Sequence, residues 1–271
     1  MQTALTLISC LAENTYPICA QLADYLTAQT GIQVSFDQSM PWLEASEKLA
    51  KGQIQMGWIC GLLYTLQQDR QVRYQVLAKP IFAGHHEPLY FSYLVVHQDS
   101  GIQSIAELVN KRLVINDPDS YSGHHALWAH WAKLSNPPQF ASMTTSGSHS
   151  NSLRMLAAGE ADVAAIDCTV FDYWLQSNKP EMQEILSQLR SIAQISPAPT
   201  PPLVIHNTVG IEISTMIRQA LLQLTLLAQV PIEIKSAGLS SLVTALDQDY
   251  DCMRQSYRLS TGFIKDVLHL L

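Results

Sequence analysis

The stretch from Ser146 to Cys168, SGSHSNSLRMLAAGEADVAAIDC, restricts most strongly how this chain can fold. It places a small-residue turn and His149 at a helix start, then a helix, a stop at Gly159 and an apolar strand, Val163 to Ile166. The strand ends on a carboxylate, Asp167. Helix N-termini attract anions, and ligands of α/β sheets bind beyond the carboxyl ends of strands. The stretch therefore predicts that His149 and Asp167 face one cleft.

A second unit of the same layout occurs earlier in the chain. Leu49 to Cys60 (LAKGQIQMGWIC) and Leu156 to Asp167 (LAAGEADVAAID) both contain a helix end, a glycine, a polar pair and a buried strand. The recurrence suggests two similarly built lobes. The alternative is that any helix–glycine–strand connection has this appearance.

Strands and helices alternate along the chain, and this order predicts an α/β fold with mainly parallel pairing. The predicted strands are Thr3–Leu11, Gln33–Phe36, Ile54–Ile59, Leu89–Val96, Arg112–Ile115, Val163–Ile166, Leu189–Ile195 and Leu203–His206. The predicted helices are Tyr16–Gln29, Leu43–Lys51, Ile105–Asn110, His124–Leu134, Glu212–Leu227, Ser240–Leu246 and Tyr250–Leu259, with a partly helical tail at Thr261–Leu271. The prolines of Ser196–Pro202 predict a stiff, extended connector.

The length of 271 residues suits two lobes better than one small core. We expect lobe I to contain residues 1–92 and 202–271, and lobe II to be the inserted residues 93–201. The chain would cross between them twice, near Tyr90–Tyr93 and near Ser196–Pro202. The predicted architecture is a two-lobed clamshell in which each lobe has a mainly parallel sheet flanked by helices, with a two-strand hinge.

Composition excludes several classes of function. A net charge of −7 with only 16 scattered Lys and Arg residues argues against nucleic-acid binding. No apolar run approaches the roughly 18 residues of a spanning helix, so we expect no integral membrane segment. Five cysteines without C-x-x-C spacing argue against zinc or a disulfide framework.

The start of the chain leaves the compartment open. Leu7–Cys10 superficially resembles a lipoprotein cleavage box, but no basic residue precedes it and the apolar run is short. We interpret it as the first strand. The protein is then periplasmic or extracytoplasmic if a leader is removed, and cytoplasmic if Met1 is the native start.

The polar residues at two predicted helix starts are the candidates for binding. Ser120-Tyr121-Ser122-Gly123 combines backbone N–H groups with two hydroxyls, which suits a tetrahedral oxyanion; an ordinary serine N-cap is the alternative. His149 could donate to such an anion. Asp167 could accept a hydrogen bond from the ligand or cap a neighbouring turn. The usual catalytic and nucleotide-binding motifs do not occur, which favours a binding protein over a catalyst.

These residues resemble a known family. NDPDSYSGH, the stretch from Ser146 to Asp167, and EKLAKGQIQMGW together resemble the phosphonate-type substrate-binding proteins of ABC transporters, which have the type 2 periplasmic-binding-protein fold. The resemblance implies that Ser120, Tyr121, Ser122 and His149 hold the oxygens of a phosphonate, phosphite or phosphate.

The resemblance also implies further ligand contacts. Tyr90-Phe91-Ser92 matches the family's Y-x-S, which makes Tyr90 a ligand contact. Trp42 stands where the family usually has tyrosine, and Asp167 is the nearest match to a carboxylate that holds an amino group. Ser196 stands at a further position where an acidic residue is expected, and Tyr121 is bulky where a small residue is common.

The sequence therefore predicts a monomeric solute-binding protein that closes two lobes around a small phosphorus oxyanion and delivers it to an ABC permease. It needs no metal, no cofactor and no catalytic residue. Relatives of the same fold include cytoplasmic enzymes, so the alternative is an enzyme that uses His149 or Asp167 as acid or base. A sensor domain that signals closure to a partner is a third reading.

Overall fold

The computed structural model describes residues 4–226 and 238–268. Its strands are β1 (Leu5–Ser9), β2 (Val34–Phe36), β3 (Met56–Trp58), β4 (Tyr74–Phe82), β5 (Leu89–His97), β6 (Arg112–Ile115), β7 (Ser142–Thr145), β8 (Val163–Asp167), β9 (Leu189–Pro199), β10 (Leu203–His206) and β11 (Leu239–Val243). Its α-helices are α1 (Tyr16–Thr30), α2 (Trp42–Ala50), α3 (Gly61–Asp69), α4 (Ala126–Trp131), α5 (His149–Ala157), α6 (Cys168–Gln176), α7 (Pro180–Ser187), α8 (Ile211–Leu226) and α9 (Asp251–Leu268).

The chain forms two compact units. The first contains Met1–Leu89 and Pro199–Asp251, and the second contains Tyr90–Ala198 and Cys252–Leu271. The C-terminal helix α9 therefore belongs with the second unit, whereas the sequence-based division placed it in lobe I. The reason is apolar packing, because Phe263 of α9 lies 5.9 Å from the ring of Trp128 in the second core.

The first unit is built on a mixed sheet of strand order β11-β4-β10-β3-β1-β2. β1 pairs in parallel with β2 and β3, as the helix connections require, but β10 pairs antiparallel with both β3 and β4. The chain forms β10 after it returns from the second unit. β10 then lies in the sheet between the earlier strands β4 and β3. The first sheet is thus less parallel than the sequence order suggested.

The core of the first unit lies where α1 and α8 cover this sheet. Leu22 and Leu26 of α1 and Leu221 of α8 are buried with Leu7 of β1. Tyr25 adds a polar link, because its hydroxyl donates to the Ala220 carbonyl over 3.0 Å. Burying an apolar side chain of this size stabilises the fold by about 1.5–3 kcal/mol, so this layer accounts for much of the unit's stability.

The second unit contains a sheet of order β7-β6-β8-β5-β9. β6 pairs in parallel with β7 and β8, and β5 pairs antiparallel with β8. In that antiparallel pair Ser92 lies opposite Asp167. The carboxyl ends of β6 and β8 point the same way, so the turns that follow them emerge at one edge of the sheet.

Several predicted elements have the bounds that the sequence indicated. β6 and β10 coincide with their predictions, and α1 ends at Gly31 in the left-handed conformation. The stretches that became α3, β4 and β7 carried no prediction. Leu227 and residues 269–271, which two predicted helices include, lie outside the described residues.

One helix prediction is wrong. Residues 240–246 were expected to be helical, but β11 occupies this region and pairs with β4. The ladder shifts register between Leu239 and Ser241, as a β-bulge does, and so Leu239 and Leu242 are both buried at a spacing of three. That spacing imitates the helical period, which is why the sequence pattern misleads.

The two recurring helix–glycine–strand units have the predicted layout. α2 leads through Gly52 to β3, and α5 leads through Gly159 to β8. Both glycines adopt the left-handed conformation, with φ of 68° and 70° respectively. The two positions differ in their surroundings, since a Cβ on Gly52 would lie 2.8 Å from Nδ1 of His206, whereas one on Gly159 would meet nothing within 4 Å.

Replacing these glycines should therefore separate backbone strain from crowding. Gly159→Ala should lower the free energy of unfolding by about 1–2 kcal/mol, the cost of placing an L side chain in the left-handed region. Gly52→Ala should cost more, because the added methyl also displaces His206. Urea unfolding of each variant measures both losses. Gly262→Ala is the control, since Gly262 lies inside α9, its φ is not positive and its Cβ would meet nothing within 4 Å. Equal stability of all three variants would contradict this account.

Candidate anion-binding site

The turn after β6 has the helix-start geometry that the sequence suggested. Ser120 is the N-cap, and its hydroxyl accepts a hydrogen bond from the Gly123 N–H over 3.1 Å. Residues Tyr121–His125 form one π-helical turn that continues into α4. Such turns are rare and occur frequently at functional sites. The helical segment thus starts at Tyr121, three residues before the predicted start.

Two buried histidines hold this π-helical turn in place. His124 Nδ1 lies 2.7 Å from the Pro118 carbonyl, and His125 Nδ1 lies 2.7 Å from the hydroxyl of Ser260 on α9. Burial lowers the pKa of both imidazoles, and that of His125 falls to about 3. The neighbouring His124 lowers the pKa of His125 further. Both rings are therefore neutral at physiological pH.

The second helix start lies at α5. Ser148 is its N-cap and accepts a hydrogen bond from the Asn151 N–H over 3.1 Å, and His149 is the first helical residue. Ser146 Oγ lies 2.7 Å from Ser152 Oγ, which ties the preceding turn to the helix. The His149 side chain is therefore fixed at the positive end of the α5 dipole.

Ser122, His149 and Asp167 form a hydrogen-bonded cluster between these segments. Ser122 Oγ donates to Asp167 Oδ2 over 3.1 Å and lies 3.3 Å from His149 Nε2. The backbone of Ser122 is held as well, since Ser92 Oγ donates to its carbonyl over 2.7 Å. Three of the predicted ligand contacts thus meet in the second unit.

Asp167 has the capping role that the sequence left open, and its role as a ligand contact stays a prediction. Its Oδ1 caps α6 by accepting hydrogen bonds from the N–H and hydroxyl of Thr169, over 2.9 and 2.8 Å. Its Oδ2 accepts from Ser122. Asp167 is half-buried, whereas Ser122 and His149 are only 5% and 6% exposed.

Burial also lowers the pKa of His149. The charge of Asp167 opposes this shift first, and the backbone of Ala165 opposes it second. His149 Nδ1 is buried and has no well-aligned hydrogen-bond partner among the described residues. At physiological pH the imidazole is therefore neutral, and it offers one N–H rather than a positive charge.

Asn116 belongs to this site beside Gly123 of the predicted turn, and the sequence analysis did not single out Asn116. A Cβ on Gly123 would lie 1.7 Å from Asn116 Oδ1 and 2.9 Å from His149 Cε1. Asn116 Oδ1 is itself buried without a hydrogen-bond partner in the part of the chain that the structure describes. The position of Asn116 directly after β6 was the available signal, since strand ends of this kind carry functional polar groups.

The remaining predicted contacts are placed as follows. Tyr90 and Tyr121 are buried in the second unit, with ring centroids 6.2 Å apart, and the Tyr121 hydroxyl lies 3.4 Å from Ser256 Oγ. Trp42 is half-buried and begins α2 in the first unit. Ser196, in β9, has φ of 52° and donates its hydroxyl hydrogen to the Ala126 carbonyl over 3.0 Å. Their roles as ligand contacts stay predictions.

The fold is that of the type 2 periplasmic binding proteins. A binding-protein component of an ABC phosphonate transporter from Pseudomonas aeruginosa matches with a TM-score of 0.79 and 20% identity, covering 97% of this chain and 88% of that chain. A protein of Prochlorococcus marinus solved with methylphosphonate matches with a TM-score of 0.80 and 16% identity, covering 95% and 98%. A protein of Xanthomonas citri solved with ATP matches with a TM-score of 0.70 and 16% identity, covering 99% of both chains.

The family follows from the sequence match. Residues 10–250 match the family described as "ABC transporter, phosphonate, periplasmic substrate-binding protein", and the chain belongs to it. No curated protein sequence matches the chain. Of the helices in residues 4–226 and 238–268, none has the length and apolar character needed to cross a membrane.

The close approach at Gly123 gives a stability prediction. Gly123→Ala should lower the free energy of unfolding by about 1–3 kcal/mol, because the methyl group displaces Asn116 and presses on His149. Adding Asn116→Ala should restore part of that loss, since the atom at 1.7 Å is then gone while His149 remains. A double-mutant cycle by urea unfolding measures the coupling. Additive losses in the cycle would contradict the contact.

The neutral histidines give a pH prediction. An unfolded histidine has a pKa of about 6.5, so the unfolded chain takes up protons that His125 in the folded protein does not. Stability should therefore fall as the pH drops from about 7.5 to about 5, and His125→Asn should remove about 2 kcal/mol of that fall. Urea unfolding at several pH values measures both slopes. Above about pH 7.5 the free energies of unfolding of the two proteins should differ by a constant amount. If the two curves of stability against pH also run parallel below this pH, His125 is not the group responsible for the loss.

Proposed function

We propose that this protein captures a small phosphorus oxyanion, a phosphonate, phosphite or phosphate, and delivers it to an ABC-type permease. The observation that carries the proposal is the meeting of two helix starts at the Ser122–His149 contact of 3.3 Å. Helix N-termini present N–H groups and a positive dipole to an anion. Ser120 and Ser122 add hydroxyl groups at the same place.

The hydrogen-bond donors around the Ser122–His149 contact are neutral, which suits reversible binding of an anion. Hydrogen bonds from neutral donors to an oxyanion are charge-assisted and strong, yet they bring no full positive charge that would bind every anion alike. The chain as a whole carries a net charge of −7, so long-range attraction does not assist. Affinity then depends on donors that the fold has already oriented.

The relatives support the ligand class. A structural neighbour is solved with methylphosphonate and another with ATP, and both molecules carry phosphorus oxyanions. We assign the oxygen contacts to Ser120, Tyr121, Ser122 and His149, with Tyr90 and Trp42 as further ligand contacts. The protein is in this proposal an extracytoplasmic monomer without catalytic activity, as the family description suggests for the compartment.

The contacts around Ser122 favour binding over the enzyme alternative. In a serine nucleophile the carboxylate orients the imidazole, and the imidazole takes the serine proton. Here the Asp167 carboxylate bonds Ser122 itself rather than the His149 imidazole. A serine whose hydroxyl hydrogen faces a carboxylate instead of an imidazole is poorly arranged for attack on a substrate.

Calorimetric titration with methylphosphonate, phosphite, phosphate and ATP tests the proposal. Ser122→Ala should weaken binding of the preferred oxyanion by about tenfold or more, because it removes one charge-assisted hydrogen bond. Ser214→Ala is the matched control, since Ser214 is also buried and lies on α8 of the first unit, where its hydroxyl donates to a backbone carbonyl. Its affinity should equal that of the unmodified protein.

Two results would count against the proposal. Ligand-free protein that gives no heat with any of the four compounds does not bind this class. Equal losses in Ser122→Ala and Ser214→Ala would place the oxyanion elsewhere.

A further inference from the structure

The C-terminal helix α9 presents one face to the π-helical turn of the candidate site. Ser260 Oγ lies 2.7 Å from Nδ1 of His125, and the Tyr257 ring lies 4.9 Å from the His125 ring. One helical turn earlier, Ser256 Oγ lies 3.4 Å from the Tyr121 hydroxyl. Because positions four residues apart share a helix face, Ser256 and Ser260 contact the first and the last residue of the π-helical turn together.

The contact between Ser260 and His125 is enclosed. Ser260 is fully buried, and His125 is buried as well. The Ser260 hydroxyl also lies 2.9 Å from the Tyr257 carbonyl of its own helix, which fixes the direction of the side chain. The His125 imidazole interacts in addition with the Pro118 carbonyl, in the loop after β6. One imidazole therefore connects this loop, the π-helical turn and α9.

The π-helical turn depends on such support because it is short. It is a single turn of five residues, in which the His125 N–H donates to the Ser120 carbonyl over 3.1 Å. The helix α4 that continues it has only six residues. Helical segments of this length are marginal without tertiary packing. The elements packed against the turn therefore decide its geometry.

Two sets of contacts hold this turn. Strands β5 and β8 hold Ser122 itself, since Ser92 Oγ donates to its carbonyl over 2.7 Å and its hydroxyl donates to Asp167. The helix α9 holds Tyr121 and His125, the residues at the two ends of the turn. Ser122 thus lies in sequence between the two residues that α9 contacts.

Building on the function proposed above, we propose that α9 is a positioning element of the oxyanion site and that Ser260 is its main positioning residue. Ser260 acts through His125 on the turn that carries Ser122. Neutral donors hold an anion well only when the fold has oriented them before the anion arrives, because ordering them on binding costs free energy. The affinity of the site is therefore set in part by a helix that provides none of its donors.

Removing the Ser260 hydroxyl should loosen the turn without deleting any donor to the ligand. Ser260→Ala leaves the buried His125 without this contact, so the turn should sample more conformations in the ligand-free protein. Binding must then order the turn again. Calorimetric titration with methylphosphonate and with phosphate, on fully folded protein, should show affinity weakened about five- to tenfold.

The matched control is Thr261→Ala on the same helix. The Thr261 hydroxyl donates to the carbonyls of Tyr257 and Arg258, so its loss removes hydrogen bonding within α9 but leaves the Ser260–His125 contact in place. Its affinity should equal that of the unmodified protein. Ser256→Ala is a second test of the α9 face, which decides the question if Ser260→Ala does not fold, and it should weaken binding about two- to threefold.

Hydrogen exchange tests the mobility of the turn in the absence of any ligand. The His125 amide, which bonds the Ser120 carbonyl, should exchange at least about tenfold faster in Ser260→Ala. The Ser152 amide, which bonds the Ser148 carbonyl in α5, should keep its rate. Equal acceleration of both amides would indicate a loss of global stability and would contradict local positioning.

A double-mutant cycle with Ser122→Ala separates positioning from a purely structural role. If α9 acts by placing Ser122, Ser260→Ala should weaken binding by less than about twofold once the Ser122 hydroxyl is gone. A structural role alone would give the same fold-change in affinity in both backgrounds. Additive losses in the cycle would therefore overturn the inference.

The outcomes separate this inference from the function on which it rests. If the unmodified protein binds methylphosphonate or phosphate but folded Ser260→Ala binds it equally well, the positioning inference is wrong and the function stands. Equal weakening in Ser260→Ala and Thr261→Ala would also refute it. If no phosphorus oxyanion binds to the unmodified protein, the proposed function fails, and the inference about the oxyanion site fails with it whatever the exchange rates show.

Discussion

The hydrogen bond from Ser122 to Asp167 connects the two strand ends on which the site depends. Ser122 lies in the turn after β6, and Asp167 ends β8 and caps α6. β6 and β8 are parallel neighbours, so both ends emerge at one edge of the sheet. This bond links the π-helical turn to Asp167, the residue that caps α6. The position of His149 relative to Ser122 depends on the same geometry.

Burial gives this cluster its chemical character. His124, His125 and His149 are all buried, and in each the loss of hydration is the largest cause of a lowered pKa. The second unit thus places neutral donors, not cations, around the helix starts. A neutral site holds an anion through the orientation of its dipoles, which makes the identity of each hydrogen important. Asn116 also packs closely against Gly123, so that a side chain on residue 123 would displace it.

Local sequence predicted the elements whose signals are local. Gly31, Gly52 and Gly159 end helices because a left-handed residue terminates the helical hydrogen-bond pattern, and glycine adopts that conformation without strain. The serine at each helix start was recognisable for a similar reason, since a hydroxyl that accepts from the backbone is a local interaction. His149 and Asp167 both contact Ser122, as expected for a helix start and a strand end at one edge of an α/β sheet.

Other features depended on distant parts of the chain. The bulge in β11 imitates a helical spacing, and only pairing with β4 makes it a strand. α9 joins the second unit because its aromatic face meets Trp128, which lies far away in sequence. The sequence by itself determined the family, the α/β order and the residue types at the two helix starts. The tertiary structure decided which hydrogen bonds they make, because a hydroxyl or imidazole acquires its partner only when another element brings one within reach.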